Sequence, residues 1–287
     1  MKISAIDTGS NSVRLLVWAD GRSLYKKIDT TRLGEGLAAT GCLSSAAMER
    51  TAEAIARFAE EARAAGSDKL YVFATAAARR AANGGEFVRL VKEKYGLDVD
   101  VVSGEEEARL GLSGALGGRA GGIIDVGGAS SEVTVSDGNA VVYAKSLDLG
   151  AVRVTETCGG DLEKTRALIA EKLPFYGSIP KTEMTAIGGT ATSVVALEKE
   201  LTVYDPAKVH GTVLSAAKIN AWAEKLLSMT QEERLALPGM DPRRADILGG
   251  GAMLLAMIAE YAGADTVTVS EADNLEGYIM AREGGRS

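Results

Sequence analysis

The sequence predicts an α/β protein of two similar domains, on three observations. The chain has 287 residues, which suits about two domains of ~100–200 residues each. Glycine is abundant, 34 of 287 against a usual ~7%, while aromatics are only 5%; that mix favours helices and Gly-rich turns over an all-β protein. Most telling is an internal echo. "ISAIDTGSNSVRLLVWADGRSLYKK" near the N-terminus is answered by "GIIDVGGASSEVTVSDGNAVVYAKS" after the break "GALGGRAGG". Each copy runs from a short apolar strand into an Asp, then Gly within two residues, then serines. Each continues as two β-rich runs around an Asp-Gly pair.

The elements follow in order. Asp20-Gly21 and Asp137-Gly138 are strong two-residue hairpin signals. Residues 44–65 read as a helix capped by Ser44 or Ser45 and stopped by Gly66. "KLYVFAT" (69–75) reads as a buried strand, 84–95 as a helix ended by Gly96, and "LDVDVVS" (97–103) as an alternating strand. "GEEEARLGLSGAL" opens a further helix. In the second half, 161–173, 215–228 and 243–261 read as helices, and 183–189 and 266–270 as strands. Residues 271–283 suit a terminal helix. The expected division is 1–117, joined by the C-terminal helix (271–287), and 118–270.

Composition excludes several functions. No apolar run at the N-terminus serves as a signal peptide or membrane span, so a cytoplasmic protein is expected. Two cysteines, Cys42 and Cys158, indicate no disulfide framework. His210 is the only histidine, which excludes a His-rich metal site. A net charge of −7 favours neither nucleic acid nor an anionic membrane. A polyanionic substrate would need local cations or a metal.

The repeated acid-plus-glycine turn suggests that chemistry. Short Gly/Ser turns let successive N–H groups point into one concavity that binds anions, and Gly permits close approach by a phosphate. The acid at the strand end can hold Mg²⁺, usually through water, which then bridges to phosphoryl oxygens. Two such loops form a clamp on a phosphate chain, with Asp7 and Asp125 sharing the metal. "AIGGTATS" (186–193) adds a third loop, where Gly188, Gly189 and Thr190 suit an anion at a helix N-terminus. "VVSGEEEARL" (101–110) carries three glutamates. Ser103 with Glu106 makes a capping-box pattern, and acids in a first turn complement the macrodipole. A helix-start carboxylate also suits a base acting on water; spacing does not say which of Glu105, Glu106 and Glu107 that is. D-T-G-S is also the aspartic-protease motif, but a protease dyad needs two like acids sharing a proton. The second copy, "IIDVGGASSE", lacks that motif in a helix-rich chain.

With these blocks the chain resembles, nearly end to end, the exopolyphosphatase/guanosine pentaphosphate phosphohydrolase family of the actin-like (ribonuclease H-like) superfamily. "DTGSNS" (7–12), "RLGEG" (32–36), "ATAAARRA" (74–81), "SGEEEARL", "DVGGASSE" (125–132), "LDLGAVRVTE", "IGGTATS" and "RRADILGGG" stand in the family's order. The resemblance implies two actin-like domains with substrate in an interdomain cleft. It implies Mg²⁺-dependent release of terminal phosphate from inorganic polyphosphate or guanosine pentaphosphate, by a homodimer. By position it makes Glu107 the base that activates water, Glu132 a second acid for water or metal, and Asp7 and Asp125 the metal-linked acids. Arg79 is the matching phosphate arginine; Gly9, Ser10, Asn11, Ser12, Gly127, Gly128 and Ser130 would cradle phosphates, with Arg32 and Arg153 as weaker candidates. Two departures stand out. Ala129 replaces a usual third Gly, and Asp273, Asn274 and Leu275 replace a Gly-Leu-Arg run, so a substrate-facing cation is expected to be missing. The C-terminal helical domain of longer members is expected to be absent. The rival readings are an ATP-dependent small-molecule kinase on the same fold and a non-catalytic binder of polyphosphate or an alarmone nucleotide.

Overall fold

The computed structural model describes residues 1–284; the last residues of the expected terminal helix, 285–287, lie outside the described residues. The chain forms two compact units, Met1–Leu110 together with the helix from Asn274, and Gly111–Asp273.

The first unit is built on a five-stranded sheet. Its strands are β1 (Lys2–Thr8), β2 (Val13–Ala19), β3 (Arg22–Asp29), β4 (Lys69–Ala74) and β5 (Asp100–Val101), in the order β3-β2-β1-β4-β5. Alternation along the strands buries both faces. On one side Ile6, Leu15 and Val17 pack with Ile55, Phe58 and Phe87 from helices α1 (Ser45–Ala64) and α2 (Gly84–Tyr95). On the other, Ile3, Ala5, Leu16 and Phe73 pack with Leu110, Leu275 and Tyr278. Those come from α3 (Gly104–Leu116) and, after the second unit has been traversed, from α9 (Asn274–Gly284). Each fully buried large side chain of this kind contributes about 1.5–3 kcal/mol.

The second unit has strands β6 (Gly121–Val126), β7 (Ser131–Ser136), β8 (Val141–Leu147), β9 (Met184–Ile187), β10 (Thr212–Ser215) and β11 (Thr266–Val269), ordered β10-β11-β9-β6-β7-β8. Its helices are α4 (Ala151–Cys158), α5 (Leu162–Lys172), α6 (Gly188–Glu198), α7 (Ala216–Ser228) and α8 (Leu248–Tyr261). The apolar α8 is buried along nearly its whole length and anchors the largest core cluster.

The two sheets share one plan. Residues of β1–β3 correspond to those of β6–β8 at a constant offset of 118 positions: Asp7↔Arg14 in one sheet matches Asp125↔Glu132 in the other. The register irregularity after Val17 recurs after Val135. An irregularity kept at the same offset supports the internal duplication more strongly than strand order alone.

Several expectations are corrected. Asp20 and Gly21 both have positive φ, as a two-residue hairpin requires. Asp137 instead accepts from the amides of Asn139 and Ala140, and this Asx-type turn lengthens the second hairpin loop. Of 97–103, only Asp100 and Val101 pair with β4; Leu97 and Val99 pack on the core without joining the ladder. The helix expected from 243 begins at Leu248, after a run of turns. No helix among the described residues is long and apolar enough to cross a membrane.

Candidate functional site

In the first unit, β1 delivers Asp7 to the start of a tight turn closed by Gly9 N–H donating to the Ser12 carbonyl at 3.0 Å. The segment after β3 returns to this turn. Gly34 N–H donates to the Ser10 carbonyl (2.8 Å) and Arg32 N–H to the Asn11 carbonyl (2.9 Å). The "RLGEG" block thus engages the loop's carbonyls from within the unit, as a nest needs in order to turn its N–H groups toward an anion. Asn11 and Ser12 are buried. The Asn11 Nδ2 has no hydrogen-bond partner among the described residues, and a buried donor of this kind calls for a water or a ligand. The Asp7 carboxylate is ion-paired with Arg14, its register partner, whose Nε donates at 3.1 Å.

The three glutamates separate as successive residues of a helix must, by about 100° each. Glu105 is exposed and pairs with Arg109, and Glu106 lies 3.8 Å from Arg282. Ser103 caps the helix by accepting from Glu106 N–H. Glu107 turns inward, with its side chain only 11% exposed. Arg79, on the short helix Ala76–Arg80 after β4, donates to Glu107 Oε2 at 2.8 Å and to the Val102 carbonyl at 3.0 Å. Burial pushes the Glu107 carboxyl above its ordinary range; Arg79 opposes that shift and the charge of Asp7 adds to it. Glu107, Arg79, Asp7 and Arg14 therefore form one charged cluster.

The second unit repeats the turn with different chemistry. Gly127 N–H donates to the Ser130 carbonyl at 3.0 Å. The carbonyls of Gly127 and Gly128 accept from Ala151 and Val152 at the start of α4. Gly150 makes this closure possible, since a Cβ there would stand 2.6 Å from both loop carbonyl oxygens. Opposite Asp125 stands Glu132, buried and accepting from the Ser146 hydroxyl. Cross-strand partners present their side chains to one face, so two acids stand where the first unit has an acid and an arginine.

The third loop serves Asp125 directly. Gly188 has φ +81°, and a Cβ on it would lie 2.6 Å from Asp125 Oδ1. Thr190 is buried and donates to the Val126 carbonyl at 3.0 Å, tying the start of α6 to the end of β6. A Cβ on Gly189 would overlap the Arg244 guanidinium. Sequence reading had passed over Arg244 and Arg14. The signal for Arg14 was available, because it and Asp7 are equidistant from the centre of the turn. Of the weaker candidates, Arg32 is exposed with a left-handed backbone, and Arg153 donates to the Asp148 carbonyl. Leu275 is fully buried.

No group of three or more His, Cys, Asp or Glu suited to a metal occurs among the described residues. Two carboxylates on one face nevertheless fit Mg²⁺, which is held by one or two carboxylates with waters and phosphate oxygens completing its shell. Asp125 and Glu132 supply such a pair. Asp7 already faces a cation.

The Ppx/GppA phosphatase family model matches residues 19–284. Exopolyphosphatase 2 of Mycobacterium tuberculosis is 34% identical, over 99% of each chain. A guanosine-5'-triphosphate,3'-diphosphate pyrophosphatase of Vibrio cholerae is 29% identical over 96% of this chain, which spans 58% of that longer protein. Among solved structures, the Ppx/GppA protein of Aquifex aeolicus superposes with a TM-score of 0.82 at 28% identity, over 100% of this chain and 99% of that one. An exopolyphosphatase-like protein reaches 0.88 at 29%, with the same coverage. With its two-domain actin-like fold, the chain belongs to the Ppx/GppA phosphatase family.

Proposed function

We propose that this protein releases terminal phosphate from inorganic polyphosphate or guanosine pentaphosphate, with Glu107 as the general base. The observation that carries the reading is Glu107 itself, turned inward beside Arg79 and Asp7. Phosphoryl transfer asks a protein mainly for positioning and charge neutralisation. A carboxylate with a raised pKa suits proton abstraction from water. Arg79 orients it and neutralises phosphoryl charge. The Asn11 amide and the turns at Gly9–Ser12 and Gly127–Ser130 donate to phosphate oxygens. Asp125 and Glu132 would hold Mg²⁺, which when bound would offset the charge of the phosphate chain. Polyphosphate is favoured by the name of the full-length relative. A cytoplasmic homodimer is the expected setting.

The test is phosphate release from polyphosphates of graded length, from guanosine pentaphosphate and from ATP, with and without Mg²⁺, by wild type and Glu107→Gln. The reading expects Mg²⁺-dependent release that vanishes in the variant while its circular dichroism spectrum is unchanged. Tight binding without turnover, or phosphate transferred from ATP to a small acceptor, would overturn it.

A further inference from the structure

The C-terminal helix α9 returns to the first unit and grips both ends of the segment that carries Glu107. At the far end the contact is backbone on backbone. A Cβ on Gly277 would overlap the Leu110 carbonyl oxygen and lie 2.6 Å from its carbon, so only glycine allows α9 and α3 to approach this closely. Two residues earlier in α9, the fully buried Leu275 shares a cluster with Leu110 and Val102. At the near end, Tyr278 donates to Asp100 Oδ2 at 2.8 Å. Arg282 pairs with the same carboxylate and stands 3.8 Å from Glu106, the residue just before Glu107. The Tyr278 ring stacks flat on Phe73 at 4.3 Å, and Phe73 is the register partner of both Asp7 and Asp100.

We infer that α9 is a positioning element for the reaction: Gly277 and Arg282 fix the segment 100–110 and thereby aim the Glu107 carboxylate. Neither residue touches Glu107, so both act through α3 and the strand before it. The inference rests on the proposed role of Glu107. A base acts through its direction, and a displacement of about 1 Å from a distant change can cost on the order of 10²-fold in rate.

The experiment compares Gly277→Ala, Arg282→Ala and Arg282→Lys with Lys69→Ala. The last removes the Lys69–Glu283 pair, an anchor of the same helix away from segment 100–110. Steady-state phosphate release gives kcat, KM and their pH profiles, and amide hydrogen exchange follows residues 104–110. Gly277→Ala and Arg282→Ala are expected to lower kcat with little change in KM, to displace the acid limb of the profile and to speed exchange. Arg282→Lys restores much of the rate, and Lys69→Ala leaves the profile alone. Folded Arg282→Ala with wild-type kcat, profile and exchange would overturn the inference, and it decides the matter even if Gly277→Ala does not fold. Equal effects from Lys69→Ala would also overturn it, reducing α9 to general support. A wild type that releases no phosphate defeats the proposed function instead, and the exchange data then judge the grip by itself.

Discussion

The two acid-and-glycine hairpins are the same object in backbone and differ in the charge that faces the strand-end acid. Register, turn hydrogen bond and strand irregularity all recur at one offset. At the position facing the strand-end acid, however, the first has Arg14 and the second Glu132. Duplication therefore preserved the device that holds the loop and freed the facing residue to diverge. On the proposed function, the arginine suits the first hairpin to an anion beside Glu107, and the second acid suits the other to a cation.

The largest expected effect breaks the comparison where it is already unequal, since Glu107 has no acidic counterpart at the same offset. Glu107→Gln should cost at least the ~10²–10⁴-fold typical of a general base, read as phosphate release, with the fold intact. Next, Glu132→Gln should weaken Mg²⁺ by more than the ~10–100-fold that follows loss of an outer partner, seen in the Mg²⁺ dependence of rate. Arg14→Gln should leave that dependence near wild type. A smaller contrast tests the closures behind the loops. Gly150→Ala places a methyl against two carbonyls, and should cost about 1–3 kcal/mol of stability by overpacking. Gly34→Ala meets only the Ser10 side chain at 3.1 Å and the Ser10 carbonyl at 3.3 Å, and should cost less in the same denaturant titration.

The smallest effect is a shift rather than a loss. Glu107 must be ionised to accept a proton, and its pKa is raised by burial. Activity should therefore fail on the acid side at a pH above the ordinary glutamate range, ~4.3. Arg79→Met removes the larger of the two arginine influences that lower this pKa, Arg80 being the other, so the acid limb of kcat/KM should move further up. Asp7→Asn removes one that raises it, so the limb should move down. Limbs that move together, or the wrong way, would separate Glu107 from the titration.

Much of this was legible in the sequence, because the features are local. Ser44 caps α1 and Gly96 ends α2 as their residue types dictate, and the paired turns announced the duplication. The short β5 was not legible, since alternation marks burial and cannot say how many residues find a ladder partner. At the site, residue types were readable but directions were not. Three consecutive glutamates offer three bearings, and the choice of Glu107 depends on Arg79, 28 positions away. Thr190 read as a ligand contact, yet its hydroxyl is used by the Val126 carbonyl, a partner 64 positions away.

The return of α9 to the first unit also orders events in time. A ribosome finishes the strands and Glu107 of that unit early, then adds residues 111–273 before α9 appears. At ~5–20 residues per second that interval lasts roughly 8–30 s. Throughout it the face built by Ile3, Leu16 and Phe73 lacks Leu275 and Tyr278. The nascent first unit should thus be protease-sensitive and inactive on the ribosome, and gain both protection and hydrolysis together once α9 emerges.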